Sequence, residues 1–159
     1  MDADLQRFKD AQSQRGSGFE SALAEIQSGR KRGHWIWYVF PQLAGLGQSA
    51  MSQTYGIDGL TEAEAYLRDP FLRRRLLTIT LAVAEQLRRG MSLESLMNSS
   101  IDATKLVSSM TLFEHVAKRL QATERLDDAA SLARVAEEVL SKADAEGYPR
   151  CAFTRGRVA

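Results

Sequence analysis

The sequence predicts an all-α single domain, on three observations. Apolar residues recur at helical spacing over most of the chain, as in Leu72, Leu76, Ile79, Val83 and Leu87. Helix start and stop signals bracket those stretches. No alternating strand pattern of useful length occurs. The chain has 159 residues, 44% hydrophobic and 26% charged, an ordinary globular balance. A chain of this length buries roughly 70% of its unfolded surface and needs neither disulfides nor metals to do so. The expected architecture is a helical domain over residues 1–148, of about six to eight helices, with one long irregular loop around 41–60. Residues 149–159 are expected to form a C-terminal tail.

The elements follow in order. Asp4 to Gln14 reads as a short amphipathic helix with Leu5, Phe8 and Ala11 on one side. Ser17-Gly18-Phe19-Glu20 has the form of a capping box, opening a helix that Gly29 stops. Trp35 to Phe40 has strand-like composition. A lone strand would have no partner here, so the segment is read as a buried short helix ending before Pro41. Residues 41–60 hold four of the eleven glycines and form the loop, with a turn of helix around Ser49–Tyr55. Thr61-Glu62-Ala63-Glu64 repeats the capping-box pattern and starts a helix that ends before Pro70. Asp69-Pro70 starts the next, which Gly90 stops. Its apolar residues spread wider than one stripe, which places it centrally. Ser92 caps a short helix through Met97, Asp102 or Ile101 starts a further helix that runs to about Gln121, and Asp127-Asp128 opens the last, through Ala145. The tail after Pro149 lacks periodicity and is expected to be partly disordered.

Charge and cysteine usage exclude several function classes. Lys plus Arg total 21 against 20 Asp plus Glu, a net charge of +1. That balance argues against a dedicated nucleic-acid-binding domain. The single cysteine, Cys151, excludes an internal disulfide and a multi-cysteine zinc site. With no signal peptide and no apolar run of the ~20 residues that span a bilayer, the expectation is a bacterial-type cytoplasmic protein. The familiar phosphate-loop, nucleophile-elbow, zinc-protease and dinucleotide signatures are absent. No metal site and no cofactor is expected.

Two constellations stand out. The first is Arg30 to Gln42, which holds both tryptophans and one of the two histidines. Aromatic groups with adjacent cations hold flat or anionic ligands; the same residues also suit the densest part of a core. The cations Arg30, Lys31 and Arg32 either offset the negative end of the preceding helix dipole or reach an anionic ligand against Trp35 or Trp37. His34 beside aromatics is more often structural than catalytic.

The second is the helix over 102–121. Leu106, Met110, Phe113, Ala117 and Leu120 share a core face, and Thr104, Ser108, Thr111 and His115 align opposite them. A solvated face normally carries Lys and Glu, so this stripe is expected to be covered, by the 41–60 loop or by a ligand. Lys105 and Ser109 lie one turn apart. Such a pair can act as nucleophile and base once the lysine is desolvated; phosphate binding by Lys with neighbouring hydroxyls is less demanding.

Several motifs resemble one bacterial family, the domain of unknown function numbered 1810. They are Leu5-x-Arg7-Phe8-x-x-Ala11-Gln12, Ala22-Leu23-x-Glu25-Ile26-x-x-Gly29-x-Lys31, His34-Trp35-x-Trp37-x-x-Phe40-Pro41-Gln42-Leu43, Gly45-Leu46-Gly47-x-Ser49 and Tyr55-Gly56-Ile57. Glu62-Ala63-x-x-Tyr66-Leu67-x-x-Pro70 and Lys105-Leu106-x-Ser108-Ser109-Met110-Thr111-Leu112-Phe113 complete the resemblance, which covers roughly residues 4 to 140. It implies an all-helical single domain and no particular activity. Some relatives carry the label calpastatin, but inhibitors of that kind are similar to disordered, repetitive chains, and this chain has a normal core composition and no repeat. Family members usually carry Asp-Asp-x-Lys-Leu before the Ser-Ser-Met-Thr-Leu-Phe motif; here the stretch is Ile101-Asp102-Ala103-Thr104-Lys105-Leu106, which breaks the acidic pair.

The leading expectation is a domain that binds a small anionic or nucleotide-like ligand, with enzymatic turnover as one form of it. The ligand-binding candidates are Lys31, His34, Trp35, Trp37, Gln42, Ser49, Tyr55, Lys105, Ser108 and Ser109. The alternative is a non-enzymatic protein-interaction module in which these motifs serve packing, with Leu43–Leu46 or Met51 forming the partner surface. The sequence accommodates a monomer and a homodimer equally.

Overall fold

The computed structural model describes residues 4–158, and among them the chain forms ten helices and no strand. They are α1 (Gln6–Gln12), α2 (Phe19–Gln27), α3 (Ile36–Val39), α4 (Ala50–Tyr55), α5 (Gly59–Arg68), α6 (Pro70–Arg88), α7 (Leu93–Met97), α8 (Ser100–Glu124), α9 (Asp127–Ala145) and α10 (Ala152–Val158). The number exceeds the expected six to eight because α4 forms inside the loop and α10 forms in the tail.

The hub is α8 rather than α6. It packs against α9, α5, α7, α10 and α3, while α6 is held between α9 and α2. Ser109, Met110, Leu112, Phe113 and Val116 are fully buried and point in several directions around α8. A helix enclosed on many sides needs no single apolar stripe. The same enclosure explains why its Ser and Thr residues are buried at all.

Several boundaries differ from expectation for local reasons. The Ser17–Glu20 capping box does not form: Ser17 Oγ donates to Gln14 Oε1 at 2.9 Å, and Gly18 is the N-cap of α2. A Cβ at Gly18 would run into the carbonyl oxygens of Gln12 and Gln14, so the tight α1–α2 turn requires glycine there. Thr61 does not cap α5 either. That helix begins at Gly59, and Glu62 reaches back to accept from Asp58 N at 2.9 Å. Asp69 caps α6 by accepting from the N–H groups of Phe71 and Leu72, both at 3.0 Å, as its sequence predicts. Ser99 caps α8 through Asp102 N at 3.0 Å, which starts that helix before residue 102.

The 41–60 segment is pinned rather than loose. Ala44 N donates to Ile57 O and Ile57 N donates to Gln42 O, each at 2.9 Å, a single parallel bridge. Gly56 permits the approach, since a Cβ there would lie 2.8 Å from Ala44 Cα. Arg7 on α1 holds the other side of the loop. Its guanidinium donates to Thr54 O at 2.9 Å, Gly56 O at 3.0 Å and Glu62 Oε1 at 2.8 Å. Leu43 is buried, and Leu46 and Met51 are half-buried against the core. The loop therefore presents a fixed edge beside α8.

Candidate functional site

The basic-aromatic segment divides into an inward and an outward part. Glu25, on α2, accepts from the backbone N–H of Arg32 at 2.7 Å, that of Gly33 at 2.8 Å and the Trp35 indole at 2.9 Å. Trp35 is fully buried. The Lys31 ammonium lies 4.8 Å from its ring centroid, donates to Gly33 O and pairs with Asp102 Oδ2 at 2.8 Å. Lys31 is itself only 4% exposed, so its charge is committed inside the protein. This part of the segment joins α2 to the start of α8.

Burial pushes the Glu25 carboxyl upward, but the N–H groups of Gly33, Arg32 and Trp35, with the Lys31 charge, hold it below its ordinary value. A carboxyl whose folded value lies below its unfolded one stabilises fully above the unfolded value and stops doing so as pH falls through the folded value. Acidification below the ordinary carboxylate range of about 4 is therefore expected to weaken the junction between α2 and the Lys31–Trp35 turn. Urea midpoints measured from neutral to acidic pH check this: Glu25→Gln should show a shallower decline than the parent.

The outward part faces a cleft. Gln42 and Leu46 from the loop, with Ser100, Ile101, Thr104, Lys105 and Ser108 from the first turns of α8, line an open cavity of about 300 Å³. The Lys105 ammonium sits 5.0 Å from the centroid of the Trp37 ring, a cation–π arrangement. Among the described residues no carboxylate lies within ion-pair distance of Lys105. Gln42 also lines a smaller crevice with Trp37, Ser52, Tyr55 and Gly56. The Trp37 Nε1 hydrogen is buried there without a partner among the described residues.

The structure thus brings together Gln42, Lys105 and Ser108 in the cleft, and Trp37 and Tyr55 in the smaller crevice that shares Gln42 with it. It does not bring the others there. Lys31 and Trp35 are internal, and His34 is exposed with no side-chain hydrogen bond among the described residues. Ser49 is an exposed N-cap of α4, accepting from Ser52 N at 3.1 Å. Ser109 is fully buried, and among the described residues its hydroxyl has no partner and makes no hydrogen bond with Lys105, so the two do not form a nucleophile–base pair. Sequence reasoning passed over Leu46, Ser100 and Ile101 as cleft residues. Only the fold places them opposite one another.

Within the polar stripe of α8, Thr111 is covered by the C-terminal segment, whereas Thr104 is exposed and lines the cleft with Ser108, opposite the 41–60 loop. Cys151 N donates to Thr111 Oγ1 at 3.1 Å, and α10 lies against α8. The Ser108 hydroxyl has two acceptors in reach, Thr104 O at 3.1 Å and the Cys151 sulfur. Burial raises the Cys151 thiol, yet the Ser108 and Thr154 hydroxyls and the N–H groups of Thr154 and Phe153 hold it below the ordinary thiol value. Beyond this crossing, Thr111, Glu114, His115, Lys118, Arg150 and Arg155 surround a second crevice. Glu114 there binds Arg150 through both oxygens, at 3.0 and 3.2 Å. Among the described residues no group of three or more His, Cys, Asp and Glu side chains is placed to hold a metal ion. Among the described residues no helix is long and apolar enough to cross a membrane.

A family model described as a protein of unknown function, DUF1810, matches residues 2–139. The chain belongs to the DUF1810 family. The matched span includes every residue of the cleft, whereas Cys151 and α10 lie beyond it. This DUF1810 chain is also similar to the conserved hypothetical protein Rv1873 from Mycobacterium tuberculosis, whose crystal structure is known. The two are 37% identical with a TM-score of 0.76, over 96% of this chain and 94% of that one. No curated protein matches. Within the DUF1810 motif, Asp102 supplies the carboxylate for Lys31, and Ala103, at the broken acidic pair, is fully buried.

Proposed function

We propose that this DUF1810 protein binds a small anionic ligand in the cleft between the Gln42–Leu46 edge and the first turns of α8. The observation that carries the reading is Lys105: an ammonium in a concave site, supported by an aromatic face, with no carboxylate partner among the described residues. A partly enclosed cation with unpaired donors favours an anion more than a solvated surface lysine does. Gln42 can orient the ligand through its amide. The cleft holds one ionisable side chain, which supports a binding role more than a catalytic one.

The interaction-module reading has less support. The apolar residues it relies on, Leu43, Leu46 and Met51, are packed into or against the core. A thermal-shift screen of small carboxylates, phosphates and nucleotides tests the proposal. A ligand at ~100 times its dissociation constant stabilises by about 2.7 kcal/mol, several degrees for a domain of this size. The shift should vanish in Lys105→Met. A flat screen, or a shift untouched by that substitution, would sink the proposal.

A further inference from the structure

We infer that the cleft selects an organic monocarboxylate with an apolar or aromatic body, in preference to a phosphate ester or nucleotide. The inference rests on the proposed anion site and narrows its ligand class. Three observations support it.

The first is charge. Among the described residues Lys105 is the only charged side chain lining the cleft, and Lys31 is tied to Asp102 at 2.8 Å. One positive charge balances a monoanion. A phosphate monoester, with nearly two negative charges at neutral pH, would leave charge uncompensated in a partly enclosed site, which is costly. No arginine fork is present among the lining residues to receive phosphate oxygens in bidentate fashion.

The second is the direction of the hydroxyls. Thr104 Oγ1 donates to Ser100 O at 2.9 Å and Ser108 Oγ lies 3.1 Å from Thr104 O. Neither proton is left for a ligand: Thr104 turns its own onto an α8 carbonyl, as Ser and Thr within helices commonly do, and Ser108 has Thr104 O and the Cys151 sulfur as acceptors. Side-chain donors for the anion come chiefly from Lys105 and Gln42, enough for one carboxylate and sparse for a phosphate with three acceptor oxygens. The Thr104 and Ser108 oxygens remain as acceptors.

The third is apolar surface. Ile101 is 66% exposed at the second residue of α8, and Leu46 faces the same cleft from the loop. Most large aliphatic side chains of this protein are covered, so a strongly exposed isoleucine on the wall of a cavity is an available contact for an apolar ligand body. The Trp37 ring lies beneath the cation, adjacent to this wall.

Titration of the full chain, followed by amide chemical shifts, tests the inference with 3-phenylpropionate and indole-3-acetate in one series and AMP and inorganic phosphate in the other. The aryl carboxylates should shift the amides of Ile101, Thr104 and Lys105 and bind at least about ten-fold more tightly than AMP, a difference of one 1.4 kcal/mol step. Ile101→Ser and Lys105→Met should each weaken that binding by about ten-fold. Ile101 is exposed, so its substitution leaves the fold intact. If AMP or phosphate binds more tightly and still depends on Lys105, the carboxylate inference is wrong and the anion site stands. If neither series perturbs these amides, or if binding ignores Lys105→Met, both readings fall.

Discussion

Trp35→Ala is expected to lower the unfolding free energy by about 3–5 kcal/mol, the usual range for removing a fully buried tryptophan. The Trp35 side chain is completely enclosed and packs against Phe40, with ring centroids 6.2 Å apart. Its loss leaves a cavity the size of an indole and removes one of three hydrogens from the Glu25 carboxylate. It also strips the aromatic face from Lys31. Chemical denaturation with an unchanged slope and a lowered midpoint would show the effect. A loss under about 1 kcal/mol would mean the site collapses easily, against the close packing that cores of this kind show.

Asp102→Ala carries the second large effect. Removing one member of a buried pair strands the other, at a cost of about 3–5 kcal/mol. The Lys31 side chain is 5% exposed and that of Asp102 is 21% exposed, so the lower part of that range is expected. Asp102 also accompanies the positive end of the α8 dipole, in its first turn. Lys31→Met with Asp102→Ala should recover much of the loss, because two apolar replacements leave no uncompensated charge. A double-mutant cycle on denaturation midpoints measures the coupling directly; coupling near zero would mean that Lys31 finds sufficient partners in Gly33 O and the Trp35 ring.

Much of the fold was legible in the sequence, and the reasons are local. Asp69-Pro70, Ser92 and Asp127-Asp128 are start signals whose chemistry acts within one turn, and each marks a helix start. Ser17 and Thr61 have the same chemistry but do not cap. At the first, chain crossing demands Gly18; at the second, the Glu62 carboxylate is shared between Asp58 N and Arg7, a residue 55 positions away. Long-range partners of that kind leave no mark in a local pattern.

The candidate site was legible in part for a similar reason. Lys105, Ser108 and Gln42 stand out because their residue types fall in segments that read as buried. Lys31 and Trp35 belonged to the same pattern, yet Glu25 and Asp102 claim them. Nothing in the spacing separates a cation held by a distant carboxylate from one left for a ligand. Ile101 carried no signal, since an exposed isoleucine looks like any core residue until the cleft is assembled. The cover over Thr111 comes from a C-terminal segment with no periodicity of its own.

The placement of the two tryptophans gives the protein a pair of built-in optical reporters. Trp35 sits in a dry environment and its emission follows the integrity of the fold. Trp37 lies beneath the Lys105 ammonium at the edge of the cleft, so its emission responds to whatever draws that charge off the ring. Unfolding exposes both indoles, whereas cleft occupancy acts on Trp37 and leaves the enclosed Trp35 untouched, so intrinsic fluorescence can distinguish the two events without a label.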